Sequence, residues 1–182
     1  MKRAIVTPAT LPPSALAELK QWLGITTAHD DALLASLLKA ALDMCEAFTG
    51  LMPVEAGCEE VLAARSGWLP LSTRPVQAIT GIETISEAGI RSTLAADAYE
   101  FELDADGTGR VRVLQRGNAT RIAVQFTAGI APDWETVPEA LHHGMMRLAA
   151  HQHREREDSS ASPLPPAAIA ALWQPWRRMR LV

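Results

Sequence analysis

Apolar side chains recur at helical spacing near the start of the chain. In the stretch SALAELKQWLGI, Leu16, Leu19 and Leu23 lie on one face of a helix. Ser14 is available to cap the first turn, and Gly24 follows the last apolar residue. The pattern predicts a short helix with ordinary end signals.

The next stretch, TTAHDDALLASLLKAALDMCEAFTGLMP, shows the same spacing over a greater length. Its apolar face is formed by Leu34, Leu37, Leu38, Ala41, Cys45 and Phe48. Thr27 with Asp30 resembles a capping arrangement, while Gly50 and then Pro53 supply a stop. We expect a long amphipathic helix here.

From about Glu59 the apolar positions change to short, alternating runs. These runs are EEVLAA, WLPLSTRPVQAITGIETI, YEFELD, GRVRVLQ and TRIAVQFTAG. In YEFELD the apolar positions 99, 101 and 103 alternate with Glu100 and Glu102. The loop DADGTG that follows is typical of a hairpin. The pattern therefore predicts a block of short antiparallel strands over residues 59–130.

Helical spacing returns at VPEALHHGMMRLAAHQHRERED, where Pro138 suits a first-turn position. A link, SSASPLPP over residues 159–166, precedes a last helical piece, AAIAALWQPWRRMRLV, which Pro175 kinks or ends. Together the elements predict one α+β domain, mainly α. Its helical bundle, residues 14–52 and 136–158, carries the inserted strand block and ends in a C-terminal docking tail at 167–182.

The composition limits the function classes. A chain of 182 residues with 48% apolar and 21% charged residues fits one domain, and no apolar run approaches the roughly 20 residues of a membrane span. The formal net charge is −4, yet residues 136–182 carry six basic and four acidic groups. Cys45 and Cys58 form no CxxC pair, which favours two reduced thiols over a metal site.

Four of the five histidines lie between residues 142 and 153. His142 and His143 are neighbours on a helix and cannot converge on a metal ion. The helix places His143, Arg147, His151 and Arg154 on one stripe, opposite Val137, Leu141, Met145 and Leu148. Because cations repel a metal dication, the stripe favours a solvated or partner-facing surface. No nucleophile, phosphate or dinucleotide motif is present either, so we expect no enzyme, metal or cofactor.

The C-terminal piece combines an apolar stripe with a basic end. The stripe consists of Ile169, Leu172, Trp173 and Trp176, and the basic residues are Arg177, Arg178 and Arg180. Such a helix is suited to docking on a partner, and its arginines could instead contact phosphates.

The order of these motifs resembles the head-tail connector, or adaptor, proteins of long-tailed double-stranded DNA phages and gene transfer agents. LKQWLGI with DDALLASLLKAALDMCEAFTG is similar to the family's opening, and LPLSTRPVQAITGIETI to its first strand pair. IAVQFTAGIAPDWETVPEALHHGMMRLAAHQHR is similar to its strand, turn and proline-started helix. LPPAAIAALWQPWRRMRL resembles its arginine-rich C-terminal pattern, with Trp176-Arg177 where many members have a tyrosine-arginine pair.

This resemblance implies a structural role at the neck of a virion or phage-like particle, in a protein made in the bacterial cytoplasm. Copies would form a homo-oligomeric ring, of about twelve subunits by family analogy, beneath the capsid portal. The ring would extend the channel, pass DNA without sequence-specific binding, and carry a stopper or tail-completion protein. The resemblance makes the C-terminal segment the portal-docking element. The alternatives are that the chain is itself another neck component, a stopper or tail-completion protein, or a DNA-packaging accessory with salt-sensitive DNA affinity.

Overall fold

The structure of the chain is a computed structural model that describes residues 2–155 and 165–177. The described chain forms two compact units. The strand unit comprises residues 2–9 and 55–130. The helical unit comprises residues 10–54, 131–155 and 165–177. Arg178, Arg180 and most of the link at 159–166 lie outside the described residues.

The strand unit contains two antiparallel sheets. Its strands are β1 (Lys2–Thr7), β2 (Ala56–Ala63), β3 (Leu69–Pro70), β4 (Val76–Ile85), β5 (Arg91–Thr93), β6 (Tyr99–Leu103), β7 (Gly109–Val113) and β8 (Arg121–Ala128). The first sheet has the order β1-β2-β8-β4-β5, and the second has the order β3-β7-β6. The sequence pattern assigned no element to residues 2–7, so β1 is an addition to the predicted strand block.

The core of the strand unit centres on β8, which pairs with β2 on one side and β4 on the other. Ile122, Val124 and Phe126 are buried, as strict alternation requires, and Ala123 on the opposite face is buried as well. Phe126 lies opposite Cys58 of β2. A central strand covered on both faces explains why TRIAVQFTAG contains so few charged residues.

A buried carboxylate organises the turn before β4. Glu60 on β2 is fully buried and accepts hydrogen bonds from the backbone N–H groups and the hydroxyls of Ser72 and Thr73. These four donors compensate for the cost of taking a carboxylate out of water. Glu60 is thus a structural residue.

The hairpin predicted at DADGTG is confirmed. It joins β6 to β7 and places Leu103 opposite Gly109. Gly107 has a φ of 77°, and a Cβ there would lie 2.6 Å from the Cβ of Pro75. Asp106 accepts hydrogen bonds from the Thr108 side chain and backbone, which lower the pKa of its carboxyl below the usual range. Both residues fix the loop.

The helical unit contains α1 (Pro13–Leu23), α2 (Asp31–Thr49), α3 (Glu139–Arg154) and α4 (Ala167–Trp173). Gly24 and Gly50 end α1 and α2 in the left-handed conformation, as predicted. The predicted caps are wrong. Pro12 precedes α1, while the Ser14 hydroxyl donates to Glu135 at 2.6 Å.

The remaining start signals also differ in detail. Asp30 sits at the cap position of α2 without a side-chain hydrogen bond, so the capping arrangement with Thr27 does not form. Pro138 occupies the position just before α3 instead of its first turn. The proline still fits there because the position needs extended backbone and no N–H donor.

These elements confirm a mixed α+β fold. The mainly α weighting, the helical bundle and the single-domain organisation stay predictions. Within the described residues, no helix combines the length and apolarity that crossing a membrane requires.

Candidate functional site

Trp173 is the largest buried side chain that holds the C-terminal segment onto the helical unit. Trp173, at the end of α4, has 0% of its surface exposed. Its indole N–H donates to the Leu141 carbonyl at 3.4 Å, and its ring lies 5.9 Å from the Phe48 ring, centroid to centroid. A Cβ on Gly144 would lie 2.1 Å from the indole nitrogen. Gly144 therefore provides the space that lets the indole lie against α3.

The predicted docking residues divide into two groups in the structure. Ile169 and Trp173 are buried in the chain's own helical unit, whereas Leu172 and Trp176 are half-buried and Arg177 is exposed. The prediction of one apolar stripe that is open to a partner is therefore corrected for Ile169 and Trp173. These two side chains are buried because α4 packs closely against α3. The role of all seven residues in portal binding stays a prediction.

Arg177 lies at the exposed end of this arrangement. A short 3₁₀ turn over Gln174–Trp176 follows α4, in agreement with the predicted break at Pro175. The turn places the Arg177 guanidinium carbon 5.3 Å from the centre of the Phe48 ring. Such a cation–π contact orients the arginine and leaves its donors available to a carboxylate. Trp176 and Arg177 thus form an aromatic and cationic end on the helical unit.

Two residues of this site were not identified from the sequence. Phe48 was assigned to the apolar face of α2, and Gly144 received no role. A glycine in the middle of a strongly helical segment costs about 1 kcal/mol relative to alanine, so its presence indicates close packing. That signal was available in HHGMM, although it does not name the partner side chain.

The predicted apolar stripe is confirmed, because Val137, just before α3, and Leu141, Met145 and Leu148 are all buried. The opposite stripe is exposed only in part: Arg147 and Arg154 are exposed, whereas His143 and His151 are half-buried. A cavity of about 410 Å³ lies beside the second stripe. Its lining includes Trp22, His143, Arg147, His151, Arg154 and Ile169.

The adjacent histidines His142 and His143 have partners within the helical unit. His143 packs edge-on against Trp22 at 5.3 Å, and His142 lies 4.6 Å from Trp134 and 3.2 Å from a Glu18 carboxylate oxygen. The described part of the chain contains no cluster of three or more histidine, cysteine, aspartate or glutamate side chains that could hold a metal ion. These contacts explain His142 and His143 as packing residues.

The cysteines do not form a disulfide, and both are buried. Burial, with a smaller contribution from the charge of Glu46, raises the pKa of the Cys45 thiol to about 12. A thiol of that pKa is protonated at neutral pH and is a poor nucleophile. Cys45 is therefore a core residue of α2.

Comparisons with known proteins point to one family. Residues 13–85, from the start of α1 to the end of β4, match the model of the phage gp6-like head-tail connector protein. No curated protein matches the chain.

The structural likeness extends over the whole chain. A chain in the neck of an empty gene transfer agent particle, with C6 symmetry, is 26% identical with a TM-score of 0.79. Chains in a native gene transfer agent virion and in its neck with C12 symmetry are each 27% identical with TM-scores of 0.77. In all three cases the match covers 100% of this chain and 98% of the other. The domain match over residues 13–85 and the structural likeness over the full length together show that this chain is similar to phage gp6-like head-tail connector proteins and to chains of gene transfer agent particles.

Proposed function

We propose that this chain is a structural head-tail adaptor whose copies form a ring beneath the capsid portal. The ring extends the DNA channel and provides the platform for the next neck or tail protein. The observation that carries this proposal is the full-length likeness to gene transfer agent neck chains, at TM-scores of 0.77 to 0.79. Because the match includes both units, it is not the likeness of one common fold fragment. An adaptor of this kind needs no catalytic residues.

The C-terminal segment is the proposed portal-docking element. Trp173 and Ile169 anchor α4 in the helical unit, so the segment reaches the portal from a fixed base. Trp176 and Arg177 then supply the contact, together with Leu172 and the following arginines at 178 and 180. Tryptophan and arginine are the residue types that most often dominate binding energy at protein interfaces. Arginine side chains in this end would pair with carboxylates of the portal protein.

The acidic balance of the chain fits the passage of DNA. Residues 59–135 carry eleven acidic and seven basic groups, so phosphates would not be held by a dense cationic surface. DNA then moves through the ring without sequence-specific contacts.

The test is co-sedimentation of the chain with the portal protein that is encoded beside it. Trp176→Ala with Arg177→Ala is expected to weaken portal binding about tenfold or more, the cost of losing two interface anchors. Trp22→Ala with Arg147→Ala is the matched control, because it removes an exposed tryptophan and an exposed arginine elsewhere on the helical unit. Equal portal binding by both variants would contradict the docking element.

Removal of the whole tail is a poorer test. A deletion of residues 163–182 also removes Ile169 and Trp173 from the core of the helical unit and would lower its stability. Retention of the intact chain on DNA in a salt-sensitive manner, without portal binding, would favour the packaging-accessory alternative.

A further inference from the structure

The cavity of about 410 Å³ beside the second stripe of α3 is formed within the helical unit by α1, α3 and the start of α4. Its lining includes none of Leu172, Trp176 and Arg177, the described residues of the proposed portal contact. The volume lies within the range of about 300–1,000 Å³ that is typical of binding pockets. The cavity is therefore large enough to hold a ligand and is distinct from the portal contact.

One side of the cavity is cationic. Arg147 and Arg154 line it and are exposed, and their side chains form no ion pair with another described residue. Seven positions of one helix separate them, which corresponds to about 10 Å along the helix axis. His151 lies on the same stripe but already contacts Glu155 at 2.8 Å. The two guanidinium groups are thus the charges of the cavity that await a partner.

The rest of the described lining is mainly aromatic and apolar. Trp22 of α1 is 44% exposed, and His143 packs against its ring. Ala168 and Ile169 at the start of α4 add apolar surface. Tryptophan and arginine are the residue types that most often dominate binding energy at interfaces. The cavity combines both types around a small apolar surface.

The charge of the cavity favours an acidic peptide over a nucleic acid. Two unpaired arginines neutralise only about two phosphates, whereas nucleic-acid binding that persists at physiological salt uses several such contacts. Glu155 lies beside the same stripe and repels a backbone that carries a charge on every nucleotide. An extended peptide has its carboxylates on alternate residues, about 7 Å apart, and presents the side chains between them to the opposite side.

We infer that this cavity binds an extended acidic peptide segment of a partner protein other than the portal. Carboxylates of the segment pair with Arg147 and Arg154, since a guanidinium group donates two parallel hydrogen bonds to a carboxylate. An apolar side chain of the segment packs on the Trp22 ring. The inference goes beyond the adaptor function and does not depend on the portal contact.

Fluorescence anisotropy of a labelled hexapeptide with alternating Asp and Leu residues tests the inference on the full chain. The peptide is expected to bind in a saturable manner, and its counterpart with Asn in place of every Asp about fivefold or more weakly. Arg147→Gln with Arg154→Gln is expected to weaken binding of the acidic peptide by about the same factor. Arg65→Gln with Arg121→Gln is the matched control, because it removes the same charge from two exposed arginines of the strand unit.

A second pair of variants separates the cavity from its charge. Ala168 lines the cavity and is exposed, so Ala168→Phe adds a ring there and retains both arginines. It is expected to weaken peptide binding about fivefold or more, because the segment and the ring compete for the same space. Ala171→Phe is the matched control, since Ala171 is exposed on the same helix and does not line the cavity. Urea unfolding of each variant confirms that it is folded in the assay.

The same assays define the results that would overturn the inference. Equal affinity for the Asp and Asn peptides, or equal losses in the two arginine pairs, would show that the cavity does not select carboxylates. Tighter binding of a six-nucleotide oligothymidylate at the same arginines would make the cavity a phosphate site. Self-association that Ala168→Phe abolishes would assign the cavity to a second copy, and loss of portal binding in Ala168→Phe would assign it to the portal.

Discussion

Gly144→Ala tests the packing of the C-terminal segment because the usual effect of this substitution should be reversed. In a helix interior, alanine is more stable than glycine by about 0.8–1.0 kcal/mol. At position 144 a Cβ would lie 2.1 Å from the indole nitrogen of Trp173 and 2.8 Å from a ring carbon. Neither distance is compatible with van der Waals contact, so the indole must move.

The magnitude follows from two opposing terms. Overpacking of a tight core costs about 1–3 kcal/mol. Displacement of Trp173 also weakens its hydrogen bond to Leu141, which contributes about 1 kcal/mol. Subtracting the gain in helix propensity leaves a net destabilisation of about 1–3 kcal/mol. Trp173→Ala alone should cost about 3–5 kcal/mol, as expected for a fully buried tryptophan.

The double mutant provides the control. When Trp173 is already alanine, Gly144→Ala meets no indole and should stabilise the helical unit by up to about 1 kcal/mol. The assay is urea unfolding followed by far-UV circular dichroism for the four chains of the cycle. Stabilisation by Gly144→Ala in the unaltered background would refute the reasoning, since it would mean that α4 does not lie against α3.

Other substitutions test the strand unit and the core. Gly107→Ala and Gly89→Ala both place alanine at a positive φ, but of these two positions only 107 has a neighbour within 4 Å of the added Cβ. In urea unfolding, Gly107→Ala should therefore lower the free energy of unfolding by about 1 kcal/mol or more beyond the effect of Gly89→Ala. Equal losses would contradict the close approach at that turn. Glu60→Ala should lower the free energy of unfolding by about 2–4 kcal/mol because four donors lose their acceptor. Glu102→Ala, at an exposed position, should change it by less than about 0.5 kcal/mol. Similar values for the two variants would contradict the structural role of the buried Glu60 carboxylate. Cys45 should resist Ellman's reagent until the chain unfolds, and its contribution to stability relative to Cys45→Ala should be complete below pH 9 and decline as the pH rises toward 12. Rapid labelling of folded Cys45 would show that the thiol is accessible.

The elements with strong hydrophobic periodicity could be predicted from the sequence. The two N-terminal helices, their glycine stops, the β6–β7 hairpin and the apolar stripe of α3 all follow from spacing that repeats over several residues. The predicted Ser14 cap did not form, and the Ser14 hydroxyl donates instead to Glu135, more than a hundred residues away in the sequence. Local patterns do not report such tertiary contacts.

The same limit applies to the candidate site. An apolar stripe at 169, 172, 173 and 176 looks the same in the sequence whether it faces a partner or the chain's own helices. In the structure, Gly144 leaves space for the Trp173 indole, so this part of the stripe faces the chain's own helices. β1 was missed for a related reason. Residues 3–7 of its short run KRAIVT are all exposed, so the run lacks the alternation of buried and exposed positions by which strands are identified.

The most direct measurement of the central claim is electron microscopy of the chain mixed with the portal protein encoded beside it. The account predicts an additional ring on one end of the portal, coaxial with its channel, and loss of that ring with Trp176→Ala plus Arg177→Ala. Portals that remain bare while the folded chain is present in excess would contradict the adaptor function.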